Sequence, residues 1–391
     1  MSAKKLAVLD VGSDALTLVV QDGRYPNNYI YKGSENYSGY QDGEFLDVQD
    51  LYAAVEKLLK ACEETAFCRP DDVLVGVPGE FTTVICKTLD LNFTNKKKIG
   101  PADLELLFMN GNTYDGHAVF RSINASPVYY ICDGGEKIID PVGIKAAKLT
   151  GYISYVLAER TFLDLFDRIA ENVGARFEYT SEILAELLYV VPPEERDKGV
   201  IIADIGFISS TVAYGKGDGI LHSVSFSSGG GNVAGDLTMC MQVPFEHAAE
   251  LLPKINLNLQ PKPADTYTAS VRGEAFSYNI KDINEVAYCR VQDIAQTIGK
   301  AIAAGNRDIK PSTPIMLTGS GLSQLAGAKE IISAATGRAV KVISADLLQF
   351  NRPAQAAIAG LIMVGRRKLP AAGVRISSKF RAYLLKRRRN K

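Results

Sequence analysis

The chain has 391 residues, 47% of them apolar and 23% charged, a composition that points to a globular protein of two or more domains and excludes fibrous or low-complexity classes. No apolar run reaches the ~18 residues that a membrane-spanning helix needs. Lys and Arg number 44, as do Asp and Glu, yet residues 366–391 hold eleven of the basic residues and no acidic one. The rest of the chain therefore carries a net charge of −11, which argues against a nucleic-acid-binding body.

Met1-Ser2-Ala3-Lys4-Lys5 leads directly into an apolar strand, so no secretory leader is expected. Residues 5–12 and 16–21 read as two strands around Asp10-Val11-Gly12-Ser13. Asp50 to Thr65 reads as a helix, with Leu51, Val55, Leu58, Leu59 and Cys62 on one face. Asp72 to Val77 reads as a strand closed by Pro78-Gly79. Between 80 and 156 the pattern changes to β-branched runs (81–86, 119–123, 127–132, 144–156) around a short helix near 102–109, a small α+β insertion. Glu159 to Val173 and Ser181 to Tyr189 read as helices, and Pro192-Pro193 with the charged run 194–198 reads as a linker.

A second hairpin then opens at Val200 to Gly206, with a returning strand at Thr211 to Tyr214. Its Asp204-Ile205-Gly206 repeats Asp10-Val11-Gly12 after 194 residues. In such a hairpin the backbone N–H groups at the Gly turn can face phosphate oxygens, and the Asp can hold a cation through water. Two further glycine segments follow strands and precede expected helices: Ser228-Gly229-Gly230-Gly231-Asn232, and Thr318-Gly319-Ser320-Gly321. Such turns bring backbone N–H groups close to a phosphate or ribose. Helices are expected over 245–252, 285–303, 324–335 and 354–364, and a strand over 340–343. The alternation argues for an α/β fold. The six cysteines, Cys62, Cys68, Cys86, Cys132, Cys240 and Cys289, lack CxxC spacing and read as reduced core thiols. Three histidines without paired spacing argue against a zinc site.

The basic tail follows a short linker, Pro370-Ala371-Ala372-Gly373. Ile376, Phe380, Tyr383 and Leu384 would share one helical face, beside Lys379, Lys386 and Arg387. This is the pattern of an interfacial membrane anchor; the competing reading is an unstructured basic tail or one that binds nucleic acid.

The order of the four glycine segments resembles the actin/Hsp70/sugar-kinase superfamily. Within it the chain is similar to the bacterial cell-division FtsA family. Val73 to Glu80 resembles the strand entering that family's inserted subdomain, and Ile139-Asp140-Pro141-Val142-Gly143 an element inside it. Glu182-Ile183-Leu184-Ala185 resembles the helix that follows, Met316 to Gly321 the adenosine loop, and Ala356 to Gly365 the closing helix. The resemblance implies an actin-like duplicated two-domain fold with an SHS2-type α+β insertion and a C-terminal amphipathic helix. Its parts would be 1–79 with 157–193 and 344–368, the insertion 80–156, 194–235 with 306–343, an outer subdomain 236–305, and the tail 369–391.

The same resemblance implies ATP and Mg as cofactors. Asp10 and Asp204 would hold Mg through water. Gly12, Ser13, Gly206 and Ser209 would meet phosphates, Gly230 and Gly231 the sugar-phosphates, and Gly319, Ser320 and Gly321 the adenosine. Glu250 and Lys254 would contact base or ribose. Implied partners are the FtsZ C-terminal peptide (met by Arg290), further copies of the chain in filaments, other division proteins, and the cytoplasmic face of the bacterial membrane as a peripheral site, with no nucleic acid. Two departures weaken turnover: Asp14-Ala15 replaces the family's Ser-Lys, and Phe207-Ile208 replaces a Gly pair. ATP binding with weak or no hydrolysis is the expectation. Alternative readings are a PilM-like scaffold of pilus or secretion assembly, and a small-molecule kinase of the same superfamily.

Overall fold

The computed structural model describes residues 5–368, apart from 24, 26, 115 and 306–308. The first half opens with three antiparallel strands, β1 (Leu6–Val11), β2 (Ala15–Gln21) and β3 (Tyr29–Asn36). A tiny hairpin, β4 (Tyr40–Gln41) and β5 (Glu44–Phe45), leads into α1 (Val48–Ala66). The Asp47 side chain caps α1 by accepting from the Asp50 N–H. The predicted face is the buried one: Leu51, Val55, Leu58, Leu59 and Cys62 are all in the core. Next comes β6 (Asp72–Val77), parallel to β1.

The chain then leaves this sheet for β7 (Thr82–Lys98), α2 (Pro101–Gly111), β8 (Phe120–Cys132), β9 (Lys137–Ile138) and β10 (Lys145–Glu159). These strands form a separate antiparallel sheet, β7-β10-β8-β9, with its own core of Leu104, Leu107, Phe108, Leu149, Ile153 and Tyr155. The inserted segment thus has a sheet and a core of its own, with strands longer than the short runs read from sequence. It returns through α3 (Arg160–Val173) to β11 (Arg176–Ser181), parallel to β6, and then to α4 (Glu182–Tyr189). Phe162 and Phe166 on α3 stack at 4.4 Å between centroids, and both are fully buried beside Phe45 and Phe81. Phe166→Ala is expected to cost about 3–5 kcal/mol, read as a fall in the urea midpoint with an unchanged slope.

The segment read as a linker is a short helix instead, α5 (Pro193–Lys198). Its Arg196 is buried. The guanidinium donates to the Leu187 and Val191 carbonyls at 3.1 and 3.3 Å and pairs with Asp218 at 3.3 Å. Charge along the sequence suggested solvent; a single buried ion pair makes the segment a clamp.

The second half repeats the plan. Three antiparallel strands, β12 (Val200–Ile205), β13 (Ser210–Lys216) and β14 (Gly219–Phe226), precede α6 (Gly230–Met241) and α7 (Phe245–Leu251). A hairpin, β15 (Thr266–Val271) and β16 (Glu274–Asn279), comes next, then α8 (Ile280–Ala304), β17 (Ile315–Thr318), α9 (Ala328–Thr336), β18 (Val340–Val342) and α10 (Ala356–Lys368). The sheet orders are β3-β2-β1-β6-β11 and β14-β13-β12-β17-β18, the same topology twice. The register repeats as well: Asp10 faces Thr17, and Asp204 faces Thr211. The tail residues proposed as an anchor, Ile376, Lys379, Phe380, Tyr383, Leu384, Lys386 and Arg387, lie outside the described residues. Cys62 and Cys68 are buried as expected, but Cys240 and Cys289 are exposed and are not core thiols.

Candidate functional site

The two central strands, β1 and β12, end side by side at a cleft between the halves. Asp10 and Asp204 each occupy the next-to-last position of their strand, and the hairpin turns follow. Crevices at carboxyl ends of strands are the usual ligand sites of α/β sheets. Asp10, Gly12, Ser13, Asp204, Gly206, Ser209, Gly319 and Ser320 all line this cleft, as the sequence suggests. Three carboxylates that the sequence did not single out as site residues join them: Glu80, Glu182 and Glu186. Glu182 and Glu186 lie one turn apart on α4, which points its first turn into the cleft after the Ser181 cap. That spacing was visible in the sequence, but its target was not.

The electrostatics are those of crowded, dehydrated acids. Burial lifts the Asp10 carboxyl from 3.8 to about 6, countered by its hydrogen bond with Glu182 and reinforced by Asp14. Burial, with the charges of Asp10 and Glu80, lifts Asp204 to about 7. Glu182 and Glu186 are pushed well above the ordinary carboxylate range, first by burial and then by neighbouring acids. Neither oxygen of the fully buried Glu186 carboxylate has a hydrogen-bond partner among the described residues. Among the described residues, no Lys, Arg or His lines the cleft. Among the described residues, no group of three or more His, Cys, Asp or Glu side chains is arranged to hold a metal ion.

The glycine loops converge, but on one another. The N–H groups of Gly230 and Gly231 donate to the Gly206 and Phe207 carbonyls at 2.9 and 2.7 Å, and Gly321 N–H donates to Ile205 at 2.7 Å. Gly12 and Gly206 N–H groups close their own turns onto Ala15 and Ser209, both at 3.0 Å. A Cβ at Gly321 would sit 2.2 Å from the Gly206 carbonyl oxygen, and one at Gly319, whose φ is +90°, 2.2 Å from Asp204. Only glycine permits this approach. Phe207 packs on the second-half core with its ring beside Gly231. The Gly319 loop does not open a helix as expected, because α9 starts only at Ala328. The cavity left is about 100 Å³. In this closed arrangement the residues do not fit a triphosphate: the cavity is small, the glycine N–H groups named above are engaged, and acids crowd it without a described cation to offset them.

Gly230, Gly231 and Gly321 are not among the cleft-lining residues, and neither are Glu250, Lys254 and Arg290. Glu250 and Lys254 pair with each other at 2.6 Å, Lys254 also donates to the Thr268 carbonyl, and Glu250 accepts from the Ser270 N–H. They staple α7 to β15 and are not among the cleft-lining residues. Arg290 on α8 makes a bidentate pair with Asp236 on α6, at 2.6 and 2.8 Å.

No family model matches the chain. Curated relatives do. The cell division protein FtsA of Streptococcus pneumoniae is 23% identical over 361 residues, covering 90% of this chain and 78% of that protein. The FtsA of Pseudomonas aeruginosa is 20% identical over 255 residues, 64% of this chain, and the match spans only 60% of that protein's length. The chain is similar to FtsA cell-division proteins, at 20 and 23% identity in these two comparisons. Among solved structures, the PilM–PilN type IV pilus biogenesis complex aligns with a TM-score of 0.60 at 14% identity, over 94% of this chain and 99% of the other. MreB5 of Spiroplasma citri bound to AMPPNP aligns at 0.55 and 12% identity, over 92% and 96%. The fold is the actin-like one.

Proposed function

We propose that the chain is an actin-like adaptor of bacterial cell division that tethers FtsZ to the cytoplasmic face of the membrane. The observation that carries this reading is the likeness to FtsA across nearly the whole chain, 90% of it in the Streptococcus pneumoniae comparison. Duplicated sheets, with an α+β unit inserted after β6, support the same reading. Filaments would form head to tail, and the basic tail would hold them on anionic lipid, several weak anchors acting together. No described helix is long and apolar enough to cross a membrane.

ATP with Mg enters this reading only as a weakly held ligand of an opened cleft. Asp10 and Asp204 would hold the metal through water, and the turns at Gly12, Ser13, Gly206 and Ser209 would receive phosphates after the cleft opens. Gly230, Gly231 and the 319–321 loop would take the sugar and adenosine side. The closed cleft does not fit the nucleotide, so tethering in this reading depends on no turnover step. Arg290 would receive the acidic FtsZ tail by exchanging Asp236 for it.

The likeness to PilM, at a TM-score of 0.60, favours pilus or secretion scaffolding as the second reading. Fluorescence anisotropy separates the two. The full chain is expected to bind a labelled FtsZ C-terminal peptide, and Arg290→Ala to weaken that binding by about tenfold. Capture of a pilus-type N-terminal peptide with no FtsZ-peptide binding would favour the PilM-like role.

A further inference from the structure

Glu80 has no part in the site that the sequence describes, yet it joins the two halves across the cleft. It sits in a 3₁₀ turn, Gly79–Phe81, directly after β6. Both neighbours fix its place. Phe81 is buried, stacked on Phe45 at 5.3 Å and packed on Phe162 at 4.8 Å. Gly79 has no side chain and lies against β13, where a Cβ would come within 2.1 Å of Thr211 Oγ1. The first half thereby delivers one carboxylate to the turn of the second.

There, Glu80 Oε1 accepts from Ser209 Oγ at 2.8 Å and from the Tyr40 hydroxyl. A second crossing lies beside it: Ile208 N–H donates to Ser13 Oγ at 3.0 Å. Ser13 and Ser209 are the two hydroxyls expected to meet phosphate. Both are engaged across the cleft, one of them by an anion the protein carries itself. Among the described residues, the remaining cavity of about 100 Å³ offers no Lys, Arg or His to a second anion, and two anions at one uncompensated site repel.

We propose that Glu80 is a built-in anion, standing where a nucleotide's terminal phosphate would stand and holding the halves closed without nucleotide. The inference rests on the reading of this cleft as an actin-type nucleotide site. It makes the carboxylate and a phosphate mutually exclusive. It also makes closure, and whatever assembly needs closure, independent of ATP.

The test uses the full chain, a fluorescent Mg-ATP analogue read by anisotropy, and limited trypsin digestion without nucleotide. Wild type is expected to bind weaker than about 1 mM and to resist trypsin. Glu80→Ala should bind at least about tenfold tighter, with inorganic phosphate competing, and should be cut faster until the analogue is added. Glu80→Gln keeps the shape and removes only the charge; it covers the case in which the alanine variant does not fold, and should gain about threefold. Micromolar binding by wild type, or a folded Glu80 variant with no gain, would overturn the proposal. Binding of the FtsZ peptide in the same samples reports on the tether separately, so the two ideas fail independently.

Discussion

Asp204→Asn is expected to stabilise the protein at pH 8 by as much as about 4 kcal/mol. Burial and the charges of Asp10 and Glu80 lift the Asp204 carboxyl from 3.8 to about 7, and each pH unit between folded and unfolded values is worth about 1.4 kcal/mol. A raised folded-state pKa means that the fold prefers the protonated acid. That contribution is complete below about pH 4 and is lost as pH rises through 7. Wild type should therefore lose stability steadily between pH 5 and 8. Asparagine, neutral and of the same shape, removes the Asp204 share of this slope. Asp10, lifted to about 6, should behave alike, with about 3 kcal/mol for Asp10→Asn. The two gains will not add, because the Asp10 charge contributes to the displacement of Asp204 and both charges act on Glu182. Melting temperatures across pH 5–8 check this directly; parallel curves for wild type and Asp204→Asn would show that the cleft is not the dehydrated cluster of acids described.

Deletion of 374–391 is expected to release the protein from anionic liposomes. The segment holds eight Lys and Arg, and no Asp or Glu. At ~1 kcal/mol for each cation near an anionic leaflet, its loss should reduce partitioning by at least about 100-fold. Charge reversal at Lys379, Lys386 and Arg387 should give most of that loss. Substitution of Phe380 and Leu384 by Ser should give a smaller one, because the apolar face is short. Liposome retention of the deleted form would mean that another surface makes the contact.

The parts of the fold that are legible in the sequence are those set by local rules. Apolar strands broken by Asp-x-Gly announce both hairpins, and the repeated offset announces the duplication. Period-3.6 apolar faces locate α1 and α3 to within a few residues. The half-exposed strand β3, with alternate positions facing water, carries no apolar run and escapes notice. The helix α5 escapes for a different reason: its charges look like a linker until Asp218 is found beside Arg196.

The cleft divides along the same line. Residues inside the hairpins and glycine loops are legible because the turn chemistry is local. Glu80, Glu182 and Glu186 are not, because they arrive from separate elements far along the chain. Nor does sequence show that the glycine N–H groups spend their hydrogen bonds on Gly206, Phe207 and Ile205. Glycine licenses a close approach without naming what approaches; here it is another loop. Arg290 looked available for an acidic partner because Asp236 lies 54 residues away.

The role proposed for this chain is to carry FtsZ to the membrane. Co-sedimentation of FtsZ with anionic liposomes tests it most directly. FtsZ should pellet when the full chain is present, with or without ATP, and should stay in the supernatant when the chain lacks 374–391 or FtsZ lacks its C-terminal peptide. FtsZ left in the supernatant beside a membrane-bound full chain would contradict the account.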